Sequence, residues 1–535
     1  MGNVGLIILL LFGITFIAVL SNKYKFPFQI LLVISGIAIS LIPKLPVISL
    51  SPEIVFLIFL PPLLYGAAWN ISWHQFKVNK RPIALAGFGL VIFTTLLVGV
   101  AAHEMIPGMS WPLSFLLGAI VSPPDAVAAT TVTKGLGLHP RILSIIEGES
   151  LVNDATGLIA YKYAIVAVMA GNFAIWEAGL DFLLVISGAF VTGLAIGHIM
   201  YLVHKKFICD PVIEVTLTLL TPFASYLLAE YFHLSGVIAV VTTGLYLSYR
   251  SDAIFTHQSR IMAYAVWDIV LFILNSLIFV LIGLQLRSVI KGIANYSASE
   301  LILYGIVISF VVIIIRFVWV VPAAMLPRWL SKRIRETEAF DRRNMVVFGW
   351  AGMRGVVSLA AALGLPLMLP DGSPFPQRDL IIYLSFCVIL FTLVVLGLTL
   401  PWVIRKLKLE PHSVSAEEYE VRTTVVSKAI EHIETNLSLA KDELLNNIKS
   451  KYEIKYNRLQ KTELPADYFG KEHDTATSGN IFNDFSKMQI ELISIERQKL
   501  IELHKQGKAG EEIVRKIERE LDLEETRLTM EMYAG

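Results

Sequence analysis

Runs of roughly 17–27 apolar residues recur along the first 405 positions, separated by short polar connections. Each run is long enough to cross about 30 Å of hydrocarbon as a helix. They predict 13 spans, at about 4–20, 27–43, 52–69, 83–102, 112–134, 144–170, 180–203, 212–229, 233–249, 263–286, 300–325, 344–369 and 379–404. Only Glu230, Tyr231 and His233 part the eighth span from the ninth, and merging the two would invert the downstream topology. Loop charges decide the count. With the N-terminus outside, the inner loops hold about 17 Lys and Arg, among them Lys23, Lys77, Arg81, Lys134, Arg141, Arg260 and the run from Arg328 to Arg343. The outer loops hold about four: Lys44, Arg287, Lys291 and Arg378. This is the asymmetry of the positive-inside rule, so the C-terminus lies in the cytoplasm.

The pattern changes near Pro401. About half of all charged residues fall in the last 130 positions, which divides a membrane domain, 1–405, from a charged cytoplasmic tail, 406–535. The tail has helical periodicity. Val425, Val426, Ile430, Ile433 and Leu437 make one stripe, Ile490, Ile493, Leu500 and Leu503 a second, and Val514, Ile517, Leu521 and Leu528 a third. Lys471 to Asn480 reads as a polar loop. The tail is expected to be a small helical module, and no residue in it identifies a ligand.

Composition agrees: 535 residues, 55% of them hydrophobic, with mean hydropathy +0.64, describe an all-α polytopic membrane protein. A net charge of +1 singles out no partner beyond the lipid bilayer, and no nucleic acid is expected. Cys209 and Cys387 fall in a cytoplasmic loop and a span, so no structural disulfide is expected. The first apolar segment lacks a basic flank and a cleavage site, and reads as a retained helix.

Several spans carry residues that hydrocarbon does not tolerate. In the fifth, Ser122-Pro123-Pro124-Asp125 interrupts an apolar run. Two prolines remove two backbone donors and force the preceding residues out of helical geometry. The freed carbonyls must line a cavity or bind an ion. Asp125 is either part of an ion site or a local cap on a kinked helix. In the sixth, Glu149-Ser150-Leu151-Val152-Asn153-Asp154 places two carboxylates and a carboxamide in one span. Ser150, Asn153, Asp154 and Gly157 share a helical face. Counted from the inner span ends, Asp125, Asp154, Arg316 and Arg354 all lie roughly 14–15 Å deep. Buried ionisable residues of this kind mark an ion or proton path. The twelfth span adds Gly349, Gly352, Gly355 and Gly364 around Arg354, for close packing or for a second helix break.

These residues resemble a known family. Glu147-Gly148-Glu149-Ser150-Leu151-Val152-Asn153-Asp154 is similar to the signature of the monovalent cation:proton antiporter-1 family, in its bacterial sodium/proton branch. Leu60-Pro61-Pro62-Leu63-Leu64-Tyr65, Ser122 to Ala128, Ser235 to Val241, Asn275 to Gln285 and Arg354 to Ser358 extend the likeness over essentially the whole membrane part. The resemblance implies 13 helices in inverted repeats, a mobile core and a dimerisation domain, with the fifth and twelfth spans broken and crossing. It implies that Asp154 takes either the cation or the proton, that Asp125, Ser150 and the Pro124 carbonyl help to ligate the cation, and that Asn153 supports the site. Glu149 would pair with Arg316, and Arg354 would offset helix-end dipoles at the crossing. A homodimer in the bacterial inner membrane, serving pH and sodium homeostasis, is implied as well. One departure stands out: relatives often carry an acid after the Leu-Pro-Pro-Leu-Leu-aromatic run, where this chain has Gly66.

The chemistry is consistent with exchange. Na⁺ needs oxygen ligands, which carboxylates, hydroxyls and freed carbonyls supply. Asp125, Glu149 and Asp154 against Arg316 and Arg354 leave a net −1, which one Na⁺ or one H⁺ brings to zero. Asn153 points the same way, since relatives with a second aspartate there tend to be electrogenic. Electroneutral 1:1 exchange of Na⁺, or of Li⁺ or K⁺, for H⁺ is therefore expected, with the transported ions in place of any cofactor. A cation channel would use acids too, but the buried arginines oppose a continuous cation path. A membrane enzyme is disfavoured because HExxH, G-x-x-x-x-G-K-[ST] and G-x-S-x-G motifs are missing. A sensing role is left to the tail.

Overall fold

The computed structural model describes the whole chain except residues 1–2, 25, 43–54, 72, 134–135, 137, 171–174, 208–209, 252–253, 294–295, 331–341, 409–413, 437–451, 453–478 and 535. Lys44, Lys134, Cys209, Leu437, residues 331–341 of the basic run and residues 471–478 of the polar loop lie outside the described residues. Gly479 and Asn480, expected in that loop, begin a helix instead.

The chain divides into two units. The first holds Met1–Cys209, Ile213–Ile254 and Ala265–Pro411. Its helices, two of which (α9 and α11) have their first residues in the second unit, are α1 (Asn3–Tyr24), α2 (Phe28–Ser40), α3 (Leu60–Asn70), α4 (Leu90–Met105), α5 (Trp111–Val121), α6 (Ala126–Thr133), α7 (Pro140–Ala170), α8 (Ile175–Phe207), α9 (Pro211–Tyr231), α10 (Gly236–Tyr249), α11 (His257–Gly292), α12 (Ala298–Leu330), α13 (Arg342–Trp350), α14 (Val356–Leu363) and α15 (Arg378–Leu407). Among the described residues, eight helical stretches are long and apolar enough to cross a membrane, and four apolar helices are shorter. The protein is a multi-pass membrane protein.

Proline sets several helix starts. Pro61 and Pro62 occupy the first turn of α3, and Pro112 that of α5. There the missing N–H has no intrahelical partner to lose. Upstream of α3 the chain runs through one π-helical turn, Val55–Phe59, and a second, Leu85–Gly89, precedes α4. Glycine sets one close helix contact. A Cβ on Gly36 would lie 2.3 Å from the Val280 carbonyl oxygen, and one on Gly283 2.4 Å from that of Val33. The backbones of α2 and α11 therefore touch at this pair, which apolar solvent alone does not achieve.

The second unit holds Asp210–Val212, Phe255–Tyr264 and His412–Gly535. Its tail helices are α16 (Val414–Asn436), α17 (Gly479–Lys505) and α18 (Glu511–Ala534). Val421, Val425, Ile493, Leu500, Ile513 and Ile517 belong to one of its apolar clusters. The turn from α17 to α18 is set by Gly507, at φ 72°, with the Lys508 N–H donating to the Leu503 carbonyl at 2.9 Å. That left-handed residue and its six-residue hydrogen bond close the α17 end as a Schellman cap. Arg260, in the first turn of α11 and 6% exposed, is held by acids of α18. Its Nε donates to Asp522 Oδ2 at 2.9 Å and its Nη1 to Glu518 Oε1 at 2.5 Å. Arg497 shares Asp522, at 2.9 Å, and also bonds Glu525, which His257 approaches at 3.4 Å.

Candidate functional site

Both interruptions read from the sequence are breaks in helices. Residues 122–125 are non-helical between α5 and α6, and residues 351–355 between α13 and α14. The two breaks meet. The Asp125 N–H donates to the Met353 carbonyl at 2.7 Å, and the Ser358 hydroxyl to the Pro123 carbonyl at 3.4 Å. Each break thus satisfies groups that the other's helix has lost, as backbone at membrane depth requires.

Asp125 sits between two helix N-termini. Its Oδ1 accepts from the Val127 and Ala128 N–H groups at 2.8 and 3.3 Å, capping α6. Its Oδ2 lies against Gly355 at the start of α14, where a Cβ would stand only 1.7 Å away. The cap that the sequence left as one alternative is therefore real, and the second oxygen is directed elsewhere. Positive dipole ends favour a carboxylate here.

The α7 side chains approach from the other side. Ser150 donates to the Pro124 carbonyl at 3.3 Å and accepts from the Ala126 N–H at 3.3 Å. Asp154 is 9% exposed, and no described residue hydrogen-bonds its carboxylate. Asn153 is fully buried, with neither amide atom bonded within the described protein. Glu149 and Arg316 form a two-pronged ion pair, at 2.6 and 2.9 Å. The Phe348 carbonyl accepts two further bonds from Arg316, at 3.1 and 3.3 Å. Gly352 gives this side chain its path, since a Cβ there would lie 2.3 Å from Arg316 Cδ. Arg354 is fully buried; its backbone N–H donates to Thr392 Oγ1 at 3.0 Å, while its guanidinium has no hydrogen-bond partner among the described residues.

A cavity of about 330 Å³ joins Asp125, Pro123, Pro124, Ser150 and Asp154. Leu60, Leu64, Ala67 and Asn70 of α3 line it too, with Leu271 and Asn275 of α11. Glu147 and Thr130 complete its polar lining. Sequence reasoning passed over Glu147, Thr130, Asn70 and Asn275 as site residues. For Glu147 the signal was present, because it is seven residues before Asp154 on the same helical face. The structure brings Asp125, Ser150, Pro124 and Asp154 to the cavity. Asn153, Glu149, Arg316 and Arg354 lie in the protein around it.

Comparison with known proteins gives a consistent picture. Residues 6–406 match the family described as sodium/hydrogen exchanger, transmembrane. The chain is 33% identical over 521 residues to a Na⁺/H⁺ exchanger of Mycobacterium tuberculosis, covering 95% of this chain and 93% of that one. It is 35% identical over 375 residues to the sodium, potassium, lithium and rubidium/H⁺ antiporter of Bacillus pumilus, covering 68% and 56% of the two. In fold it is similar to the sodium proton antiporter MjNhaP1 from Methanocaldococcus jannaschii, with TM-score 0.59 and 21% identity, over 76% of this chain and 99% of that one.

Proposed function

The chain belongs to the sodium/hydrogen exchanger family, the cation/proton antiporters, and from that premise we propose that it exchanges Na⁺ for H⁺, one for one, at Asp154. The observation that carries this reading is a carboxylate nine-tenths buried, without a hydrogen bond from any described residue, on the wall of a cavity that Asp125, Ser150 and Pro124 also line. Such a group is stable only with a proton or a cation on it. The two loads compete, and competition for one carboxylate is the minimal chemistry of antiport.

The remaining residues take roles by position. Asp125, Ser150 and Pro124 line the cavity together with Asp154, and a carboxylate, a hydroxyl and a main-chain carbonyl suit a hard monovalent cation. Asn153 supports the loop side of the site. Glu149 and Arg316 cancel each other. Arg354, in the break that follows α13, would offset the helix-end dipoles at the crossing, where a cation is favoured. The site then carries −1 when empty and zero when loaded with either ion, so both loaded forms cross with the same charge. Alternating access of the cavity, thirteen spans with the N-terminus outside and the tail in the cytoplasm, a homodimer in the bacterial inner membrane and a part in pH and sodium homeostasis complete the proposal.

The test is cation-driven proton movement in everted vesicles, across Na⁺, Li⁺ and K⁺, for the wild type and Asp154→Asn. Loss of exchange in the variant with normal membrane levels is expected, and full exchange in it would remove Asp154 from its role. Stoichiometry is tested separately: exchange in tight vesicles should not respond to an imposed membrane potential.

A further inference from the structure

Most of the polar side chains that line the cavity are already engaged. The Thr130 hydroxyl donates to the Ala126 carbonyl at 2.9 Å, and the Ser150 hydroxyl to that of Pro124 at 3.3 Å. Asp125 Oδ1 caps α6. Asn70 and Glu147 have interaction partners of their own. Two whole side chains on the cavity wall remain that no described residue hydrogen-bonds. One is the Asp154 carboxylate on α7, and the other is the Asn275 carboxamide on α11.

Packing fixes the register of α11 at this point. Leu271 fills the space beside Gly66 of α3, its two methyl carbons each 2.8 Å from where a Cβ on Gly66 would stand. Asn275 follows four residues later, on the same helical face and about 6 Å further along the axis. Its neighbour Ser276 is buried and donates to the Phe272 carbonyl at 2.6 Å, so that hydroxyl is satisfied within the helix. Asn275 has no such local bond. A carboxamide on a membrane-crossing helix is costly unless its polar atoms are served. Within the cavity, water or a transported cation is the partner on offer.

We infer that Asn275 is a ligand of the transported cation and sets the preference among monovalent cations. Its carboxamide oxygen replaces one water molecule on the ion that Asp154 holds. This rests on the exchange reading above and adds a ligand to it. An amide oxygen coordinates a hard cation as a main-chain carbonyl does. It carries no charge, so the empty site keeps its −1, and it takes up no proton, so the competition at Asp154 is left to Asp154. The attraction between an ion and an oxygen weakens as the ion grows. The ligand therefore favours Li⁺ and Na⁺ over K⁺.

The experiment measures KM and kcat for Li⁺, Na⁺ and K⁺ in everted vesicles, for the wild type, Asn275→Ala, Asn275→Leu and Asn275→Asp at matched membrane levels. In Asn275→Ala the apparent KM for Na⁺ should rise about 3- to 10-fold with kcat kept, a modest change because water can take the vacated place. Li⁺ should lose at least as much, and K⁺ less. Asn275→Leu, branched like asparagine but without an oxygen, should behave as Asn275→Ala does. Asn275→Asp, which keeps an oxygen in place, should bind Na⁺ at least as well as the wild type. An unchanged KM in both Ala and Leu variants overturns the inference. So does recovery in the Leu variant of what the Ala variant loses, which would make Asn275 a space-filling residue. A fall in kcat shared by all three cations, with KM kept, overturns it too, as does failure of the Leu and Asp variants to reach the membrane, which would mark a folding role. Each of these leaves exchange at Asp154 intact, whereas absence of exchange in the wild type removes the underlying reading.

Discussion

Arg316 grips Glu149 with both terminal nitrogens, at 2.6 and 2.9 Å, although both side chains are at most 2% exposed. Two opposite charges at that depth stabilise little compared with a well-packed apolar pair, but either one alone is costly. Glu149→Ala should therefore destabilise the protein by about 3–5 kcal/mol. Glu149→Leu with Arg316→Met should recover most of that loss. Thermal unfolding in detergent measures both, and equal losses in the single and double variants would deny the coupling.

Gly355 touches the carboxylate it faces, so its replacement tests the crossing without removing a charge. Gly355→Ala places a methyl group 1.7 Å from Asp125 Oδ2, and the carboxylate has to move. Exchange should fall at least about 10-fold, as near to the loss in Asp125→Asn as a displaced ligand allows. Wild-type rates in Gly355→Ala would show that Asp125 Oδ2 is not needed where it stands.

The contact between α2 and α11 has no room for a methyl group on either helix. Gly36→Ala and Gly283→Ala should each cost about 1–3 kcal/mol, because backbone rather than side chain must give way. The double variant should lose less than the sum of the singles, since one separation of the helices serves both. A double-mutant cycle on unfolding temperatures checks this.

In the tail, Glu418 accepts from Lys516 at 2.9 Å and from Arg422 at 2.8 Å. Burial alone raises its carboxyl, but these two cations outweigh burial and hold it below the ordinary glutamate value. A carboxylate depressed in the folded state adds stability that is fully present above its unfolded value, near 4.3, and fades as pH falls through the folded one. Hydrogen exchange of α16 in the full-length protein should therefore quicken below about pH 4, and less so in Glu418→Gln. Identical pH profiles for the two proteins would remove Glu418 from this dependence.

How much of this was legible depends on range. The break at Pro123-Pro124 announces itself because proline acts on its own neighbours. The tail stripes through Ile493, Leu500 and Ile517 follow from helical period alone, and these residues are buried together. Gly355 was harder, as a glycine in a sequence does not say whether it serves packing or leaves space for Asp125. Arg260 was harder still. Counted as a loop cation, it is instead enclosed by Glu518 and Asp522. No local pattern links residues that far apart.

That last contact has a bearing on synthesis. Glu518 and Asp522 follow Arg260 by 258 and 262 residues. At about 5–20 residues per second, the arginine leaves the ribosome roughly 13–50 s before its carboxylates exist. Throughout that interval the first turn of α11 carries a cation with none of its final acidic partners, which water or lipid headgroups must serve meanwhile. A chain that still lacks α18 therefore differs chemically from a finished one at Arg260, whose charge Glu518 and Asp522 have not yet met.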